Sequence, residues 1–165
     1  MNGWTNLDQL AAQRAQAIVE VIGKAHKKGR VKAEEADGLI TKALGVLQEN
    51  GVYAAMLFLL SRSGKVGSAP TRDRDLESSE ERIACQVAAE LVGLLGTPEL
   101  IGLGLAMSGL PNDWGWQHVN TYKPAILKHV ADQVCEKLEL LLLVKNLFEQ
   151  TLIYARYGAK ARAES

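Results

Sequence analysis

Residues 7–22, with the sequence LDQLAAQRAQAIVEVI, decide the fold class of this chain. Their apolar side chains recur every three or four positions and therefore fall along one stripe of an α-helix. Thr5, with Asp8 three residues later, is expected to cap this helix. The same spacing returns between Ala36 and Leu47, and Asn50-Gly51 is expected to end that second helix, because glycine readily adopts the positive φ found after many helices.

Helical patterns continue through the middle of the chain. Val52–Ser61 is apolar nearly all round, which is typical of a helix buried on most sides. Ser78 and Glu81 have the spacing of a capping box, so a helix is expected to begin there and to end at Gly96. Thr97-Pro98 fits the start of a shorter helix, which we expect to extend to the turn at 109–113.

The apolar spacing in the last part of the chain allows two different numbers of helices. From Pro124 to Leu152 the apolar spacing is consistent with one very long helix or with two in succession. No stretch alternates cleanly as a strand between turn signals. We therefore predict an all-α fold, a compact single-domain bundle of five to seven helices over residues 1–165, with an exposed loop at 63–78 and an aromatic-rich loop at 109–123.

Composition and charge exclude several classes of protein. The 165 residues are 47% hydrophobic and 23% charged, which is ordinary for a soluble globular protein. The 19 basic and 19 acidic residues give a net charge of +0, which argues against a protein that coats duplex nucleic acid unaided. The apolar stretch Leu91–Leu110 contains Pro98, Glu99 and several glycines, so no membrane span is predicted.

The cysteine and histidine residues show no pattern of a reactive or metal-binding site. Cys85 and Cys135 have no CxxC spacing, and the chain begins without a secretory signal pattern, so we predict a cytoplasmic protein. Both cysteines are interpreted as small buried hydrophobes. The spacing of His26, His118 and His129 matches no known metal motif. We predict no catalytic residue, no metal, no cofactor and no small-molecule substrate.

Three basic clusters stand out against the neutral total. The first lies within nine residues that contain no acid, the second closes the last predicted helix, and the third ends the third helix. In that order they comprise Lys24, Lys27, Lys28, Arg30 and Lys32; Arg156, Lys160 and Arg162; and Arg62 and Lys65. Local positive patches on a neutral body suit a subunit that touches RNA while other subunits hold it.

Two interpretations of these clusters remain open. Lys and Arg near the C-terminus of a helix stabilise its dipole by about 0.3–1 kcal/mol each, and that role alone explains many of them. Alternatively, lysines contact phosphates as mobile point charges, while arginines add forked hydrogen bonds and stack on bases. The first cluster carries more uncompensated charge than capping requires, which favours contact with an anionic partner.

Gln13–Ile18, Ala43–Arg62 and Gln150–Arg162 carry a family resemblance. Together they resemble the small α-helical subunit of the type III-B CRISPR effector, the Cmr complex. Gln13–Ile18 is similar to the signature of that subunit's first helix. The central stretch is similar to its run of leucines, Asn-Gly break and buried helix with a basic end. The last stretch is similar to its final helix, with Tyr157 where a Trp is usual.

The resemblance implies a specific role for the chain. Subunits of this family are helical and non-catalytic, and they stack head to tail along a crRNA-guided complex in antiviral defence. They pack against its backbone and large subunits and against copies of themselves, lining the groove for target RNA. The resemblance makes the following residues candidates for that groove: Arg14, Lys24, Lys27, Lys28, Arg62, Lys65, Lys160 and Arg162. Arg30 and Lys32 join them as members of the first basic cluster.

A second hypothesis is a helical protein–protein adaptor with no RNA role. Its basic clusters would only cap helices. Its partner surface would be formed by Trp114-Gly115-Trp116 and the apolar run Leu100–Leu110, because exposed aromatic side chains often anchor interfaces.

Overall fold

The computed structural model describes residues 6–105 and 109–163, and these residues form seven α-helices without a strand. The predicted all-α bundle is confirmed. The helices are α1 (Leu7–Lys27), α2 (Ala33–Asn50), α3 (Val52–Arg62), α4 (Ser79–Leu95), α5 (Pro98–Ile101), α6 (Lys123–His129) and α7 (Leu138–Ala163). Within the described ranges, no helix has the length and apolar character needed to cross a membrane.

The helix boundaries follow local signals in the sequence. α1 is capped by Asn6, whose side-chain oxygen accepts a hydrogen bond from the Asp8 amide at 2.9 Å. The expected cap, Thr5, lies outside the described residues, and its assignment as the N-cap is wrong because Asn6 fills that position. α4 is capped as predicted, since Ser78 Oγ accepts from the Glu81 amide at 3.1 Å. Gly51 ends α2 with a φ of 97°.

The helix that starts after Thr97 is shorter than its sequence pattern predicts. α5 makes only one turn, because Gly104 has a φ of 107° and turns the backbone away from the helix axis. The Leu105 amide then donates to the Leu100 carbonyl at 3.2 Å and closes the turn. The extension of this helix to residues 109–113 is therefore wrong, and residues 106–108 lie outside the described ranges.

The C-terminal third of the chain forms two helices. α6 passes at its end into a single π-helical turn, Val130–Val134, and α7 begins only at Leu138. The Cys135 amide donates to the Val130 carbonyl at 3.0 Å, which closes the π turn. This wide turn breaks the helix without a proline or glycine, so the apolar spacing continues across the break.

The core is built from α1, α2, α3, α4 and α7. Each of these helices contributes a large side chain that is 0% exposed. Burying one such side chain contributes about 1.5–3 kcal/mol to the free energy of folding. These side chains include Ile18, Leu47, Leu59, Leu91 and Phe148.

The directions of the helices place several helix ends together. α1 and α7 run in parallel, because Val19 packs beside Gly158 while Gly23, one turn later, packs beside Arg162. α2 and α4 run the opposite way. The Lys32 amide, just before α2, donates to Ser79 Oγ at the start of α4. The C-termini of α1, α3 and α7 and the N-termini of α2 and α4 therefore lie at one end of the bundle.

The two long loops are anchored to the core. The loop at 63–78 is exposed along most of its length, but Ser63 and Leu76 are buried near its two ends. In the loop at 109–123, the Trp114 indole N–H donates to the Ala89 carbonyl of α4 at 2.9 Å. Trp114 and Trp116 are only partly exposed and pack against the core, which weakens the aromatic surface that the adaptor hypothesis invokes.

Candidate nucleic-acid interface

The end of the bundle defined above collects all the candidate cations except Arg14. Three stretches of chain meet there: the end of α1 with the turn into α2, the end of α3 with its following loop, and the end of α7. We call this surface the basic end. Its residues are Lys24, Lys27, Lys28, Arg30, Lys32, Arg62, Lys65, Lys160 and Arg162.

Arg14 lies away from the basic end and joins two helices. Its guanidinium Nη1 forms an ion pair with Glu90 Oε1 of α4 at 3.1 Å, and Nη2 donates to the Gly93 carbonyl at 3.3 Å. A side chain at Gly93 would collide with this guanidinium, because a Cβ there would lie 2.8 Å from Arg14 Nη1. The Arg14 side chain therefore joins α1 to α4.

Several cations of the basic end are paired with carboxylates of the same chain. The pairs are Lys24–Glu20 at 3.3 Å, Lys32–Glu35 at 4.0 Å, Arg62–Glu80 at 2.7 Å, and Arg30–Asp73. The Arg62 guanidinium carbon also lies 4.5 Å from the centre of the Phe58 ring. Asp73, which pairs with Arg30, comes from a distant part of the chain, so the first cluster carries less uncompensated charge than its sequence alone indicates.

Four lysines of the basic end retain exposed charges. Lys27, Lys28, Lys65 and Lys160 are exposed and form no ion pair with any residue that the structure describes. Exposed ammonium groups of this kind can contact phosphates without first breaking an internal ion pair. The basic end is therefore a patch of separate point charges at its outer surface.

The first and second basic clusters, far apart in the sequence, share one groove. This groove lies between α1, α2 and α7, has a volume of about 310 Å³, and carries Lys27 and Arg162 on its walls. Arg162 lies across Gly23, where a Cβ would come within 2.6 Å of its Nη1. His26 orients the turn after α1, since its Nδ1 lies 2.9 Å from the Val31 carbonyl oxygen.

Two further residues lie beside the basic end, although the sequence did not place them there. Arg82, in the first turns of α4, forms an ion pair with Asp73 and donates through Nη2 to the Leu76 carbonyl at 2.9 Å. Trp116 lines a second cavity here, together with Lys28 and Arg30. Arg82 follows two glutamates in the sequence, so nothing in its local pattern marks it as part of a basic surface.

Cys85 belongs to a buried hydrogen-bonded cluster. Its thiol donates to the Ser63 carbonyl at 3.0 Å, and burial raises the pKa of Cys85 to about 12. A thiol with this pKa stays protonated at neutral pH and is a poor nucleophile. Among the described residues, no three His, Cys, Asp or Glu side chains are grouped so that they would hold a metal ion.

His118 packs between two aromatic rings. Its ring centre lies 6.2 Å from that of Trp114 in a stacked arrangement and 5.8 Å from that of Tyr122 edge to face. Its Nε2 lies 3.2 Å from Asp113 Oδ1. These contacts give His118 a packing role in the loop at 109–123.

No protein-family model, curated protein or solved structure matches this chain.

Proposed function

We propose that this chain is a non-catalytic small subunit of a crRNA-guided type III-B CRISPR (Cmr) ribonucleoprotein and contacts RNA phosphates through its basic end. One observation carries the proposal. Cations from three separate stretches of the chain meet at one end of the bundle, and Lys27, Lys28, Lys65 and Lys160 are exposed there without an ion pair to any residue of 6–105 and 109–163. The resemblance of residues 13–18, 43–62 and 150–162 to the Cmr small subunit supplies the class of complex.

The charge arrangement favours weak RNA contact that is independent of sequence. Each lysine releases condensed counterions when it neutralises a phosphate, which provides affinity without reading a base. A neutral chain with few such contacts gains little affinity alone. It therefore acts within an assembly whose other subunits hold the RNA and perform any cleavage.

The opposite end of the bundle suits contact with other subunits. Exposed large apolar side chains lie in the first turns of α3 and α7 and after α4, at helix ends remote from the basic end. We call this surface the apolar end; its residues are Tyr53, Leu57, Ile101, Leu103, Leu138 and Leu142, each 40–69% exposed. Apolar side chains of this kind contribute to interfaces when a partner covers them. We propose that backbone and large subunits, or copies of this chain, cover the apolar end.

The proposal includes a cytoplasmic location. Both Cys85 and Cys135 are free thiols, as expected for a protein of a reducing compartment.

The adaptor hypothesis remains the second candidate and rests on the apolar end alone. Its proposed aromatic anchor is weakened, because Trp114 folds back on α4. Leu100 and Leu105, from the apolar run that it invoked, are 0% and 2% exposed. An adaptor would bind a protein partner without retaining RNA.

Affinity purification from the native host tests this proposal. We expect the tagged chain to co-purify with several effector subunits and short guide RNAs, identified by mass spectrometry and RNA sequencing. The triple variant Lys27→Glu/Lys28→Glu/Lys160→Glu should keep these proteins but retain target RNA at least ~10-fold less well, because reversing exposed charges near phosphates costs about 1 kcal/mol each before screening.

Lys137→Glu is the matched control for the charge reversal. Lys137 is exposed, precedes α7 and lies at the end of that helix remote from the basic end. Because Lys137 borders the apolar end, retention is compared as RNA per recovered effector subunit, and its reversal should leave that ratio unchanged. Recovery of a single unrelated protein without RNA would contradict the proposal and favour the adaptor.

A further inference from the structure

A cavity of about 230 Å³ opens at the basic end between α1, α4 and the two long loops. Its apolar lining comes from Val21 and Ala25 on α1, Leu76 in the loop at 63–78, and Trp116 in the loop at 109–123. Leu76 is only 6% exposed, whereas Val21 is 41% exposed. The cavity therefore has a buried apolar floor and an aromatic wall and opens to solvent beside α1.

The rim of this cavity is cationic. Lys24, Lys28 and Arg30 line it, and Lys28 is exposed without an ion pair to any described residue. Arg30 is half-exposed and is joined to Asp73 through Nη1. Because a guanidinium has five N–H donors, this contact leaves Arg30 further donors for a second anion.

The carboxylate of Asp73 shows what kind of group this rim stabilises. It is held by Arg30 from the α1–α2 turn and by Arg82 from α4. Arg82 also donates through Nη2 to the Asp73 carbonyl at 3.0 Å and to the Leu76 carbonyl at 2.9 Å, which fixes this wall. Two arginines converging on one carboxylate form the arrangement by which proteins recognise the oxygens of carboxylates and phosphates.

We propose that this cavity binds single nucleotides of an RNA strand, with the base against Trp116 and the phosphate on Lys28 and Arg30. The inference rests on the proposed function and assigns to it a binding site. An aromatic wall and apolar floor beside a cationic rim suit a nucleobase joined to a phosphate, because bases stack on aromatic rings and phosphates pair with Lys and Arg.

The volume of the cavity restricts the size of the ligand further. Sites for drug-sized ligands enclose roughly 300–1,000 Å³, so a cavity of about 230 Å³ suits one base better than a larger cofactor. A base inside a duplex cannot enter it, because recognition of a base face requires an unstacked, single-stranded nucleotide. The cavity therefore takes unpaired nucleotides, either free or within a strand.

Equilibrium dialysis with labelled AMP, ribose 5-phosphate and a single-stranded oligoadenylate tests the proposal. The wild-type chain should bind AMP more tightly than ribose 5-phosphate, because only AMP carries a base. Trp116→Leu should weaken AMP binding about 10-fold, and Trp116→Phe should restore most of it, because a phenyl ring still offers a stacking face. Lys28→Glu should weaken AMP and oligoadenylate alike, whereas Lys137→Glu should change neither.

The outcomes separate failure of this inference from failure of the proposed function. Loss of oligoadenylate binding in Lys28→Glu, with binding unaffected by Trp116→Leu and no measurable binding of AMP, would overturn the cavity assignment and leave the RNA role in place. AMP binding that depends on Trp116, with no binding of oligoadenylate, would identify a free-nucleotide site and contradict the RNA role. Equal affinity for AMP and ribose 5-phosphate would overturn the base-stacking assignment, as would equal losses in Trp116→Phe and Trp116→Leu.

Discussion

The basic end and the apolar end are built from the two termini of the same helices, yet they expose different chemistry. α7 begins with Leu138 and Leu142, which are 69% and 55% exposed, and ends with the exposed Lys160. The basic end also exposes the apolar side chains Val66 and Tyr157, each of which directly follows a cation in the sequence. One helix therefore exposes a cationic side chain near its end and apolar side chains at its start.

The helix dipole explains part of this difference. Three helix C-termini meet at the basic end, where cations are favoured by about 0.3–1 kcal/mol each. The dipole does not explain the cavity beside Trp116, whose rim also uses Lys28 beyond the end of α1 and Arg82 near the start of α4. Part of the charge at the basic end therefore stabilises helix ends, whereas another part is arranged around a cavity.

The largest expected effect comes from removing the buried hydrogen bonds between Ser63, at the start of the loop at 63–78, and Asn120. Asn120 is 1% exposed; its Nδ2 donates to the Ser63 carbonyl at 2.9 Å, and its Oδ1 accepts from Ser63 Oγ at 2.7 Å. Asn120→Ala should lower the free energy of unfolding by about 2–3 kcal/mol, because buried polar groups lose their partners. Urea denaturation measures this loss, and Asn146→Ala, at an exposed position on α7, is the control. Equal stability of the two variants would contradict a stabilising role of the Ser63–Asn120 hydrogen bonds.

The variant Arg14→Ala tests whether Arg14 lies outside the surface that contacts RNA. Losing the contacts to Glu90 and Gly93 should cost about 1 kcal/mol, since a hydrogen-bonded ion pair that is partly exposed contributes less than a buried one. RNA affinity should not change, because Arg14 lies away from the basic end. Thermal unfolding and filter binding measure the two effects. A fall in RNA affinity comparable to that of Lys28→Glu would contradict the boundary.

The Asp73 contacts predict a small dependence of stability on pH. The hydrogen bond from Arg82, together with the charges of Arg82 and Arg30, lowers the pKa of Asp73 below its ordinary value of 3.8. A lowered folded-state pKa gives a stabilisation that is present above the ordinary pKa and is lost as the pH falls through the folded-state pKa. Because the Asp73 side chain is about half-exposed, the contribution is about 0.5 kcal/mol.

Comparison with Asp73→Asn isolates this contribution. The variant should be less stable than the wild type at about pH 6, and the difference should shrink as the pH falls below about 4. Chemical denaturation across this range measures it. A difference that stays constant down to about pH 2 would show that Asp73 acts without its charge.

The smallest effect on stability is expected at the apolar end. Leu138→Lys/Leu142→Lys should change the free energy of unfolding by less than about 0.5 kcal/mol, because both side chains are exposed. The same variant should lose partner subunits during purification from the host while the isolated chain stays folded. Full recovery of the partners would contradict the assignment of the apolar end as a protein-binding surface.

The sequence predicted the regular parts of the fold because they depend on local signals. The apolar spacing of α1 and α2, the cap at Ser78 and the break at Gly51 each involve neighbouring residues. The π turn at Val130–Val134 was missed because it leaves the apolar spacing intact. α5 was predicted too long because nothing local distinguishes Gly104, where the chain turns, from the other glycines nearby.

The candidate site was predicted in composition but not in arrangement. The basic clusters were visible as runs of Lys and Arg, but which of them carry exposed charge depends on tertiary contacts. Arg30 meets Asp73, which lies 43 positions further along the chain, and Arg14 meets Glu90, which lies 76 positions further along. Trp116 becomes a cavity wall only because its loop folds back onto α4, and no local pattern encodes that contact.

The salt dependence of RNA binding tests most directly whether the basic end holds phosphates. For single strands, the slope of log K against log salt concentration is about −0.7 per phosphate contact. If Lys27, Lys28 and Lys160 each contact a phosphate, the variant Lys27→Ala/Lys28→Ala/Lys160→Ala should have a slope shallower by about 2, while Lys137→Ala keeps the wild-type slope. Identical slopes for the wild type and the triple variant would contradict the account.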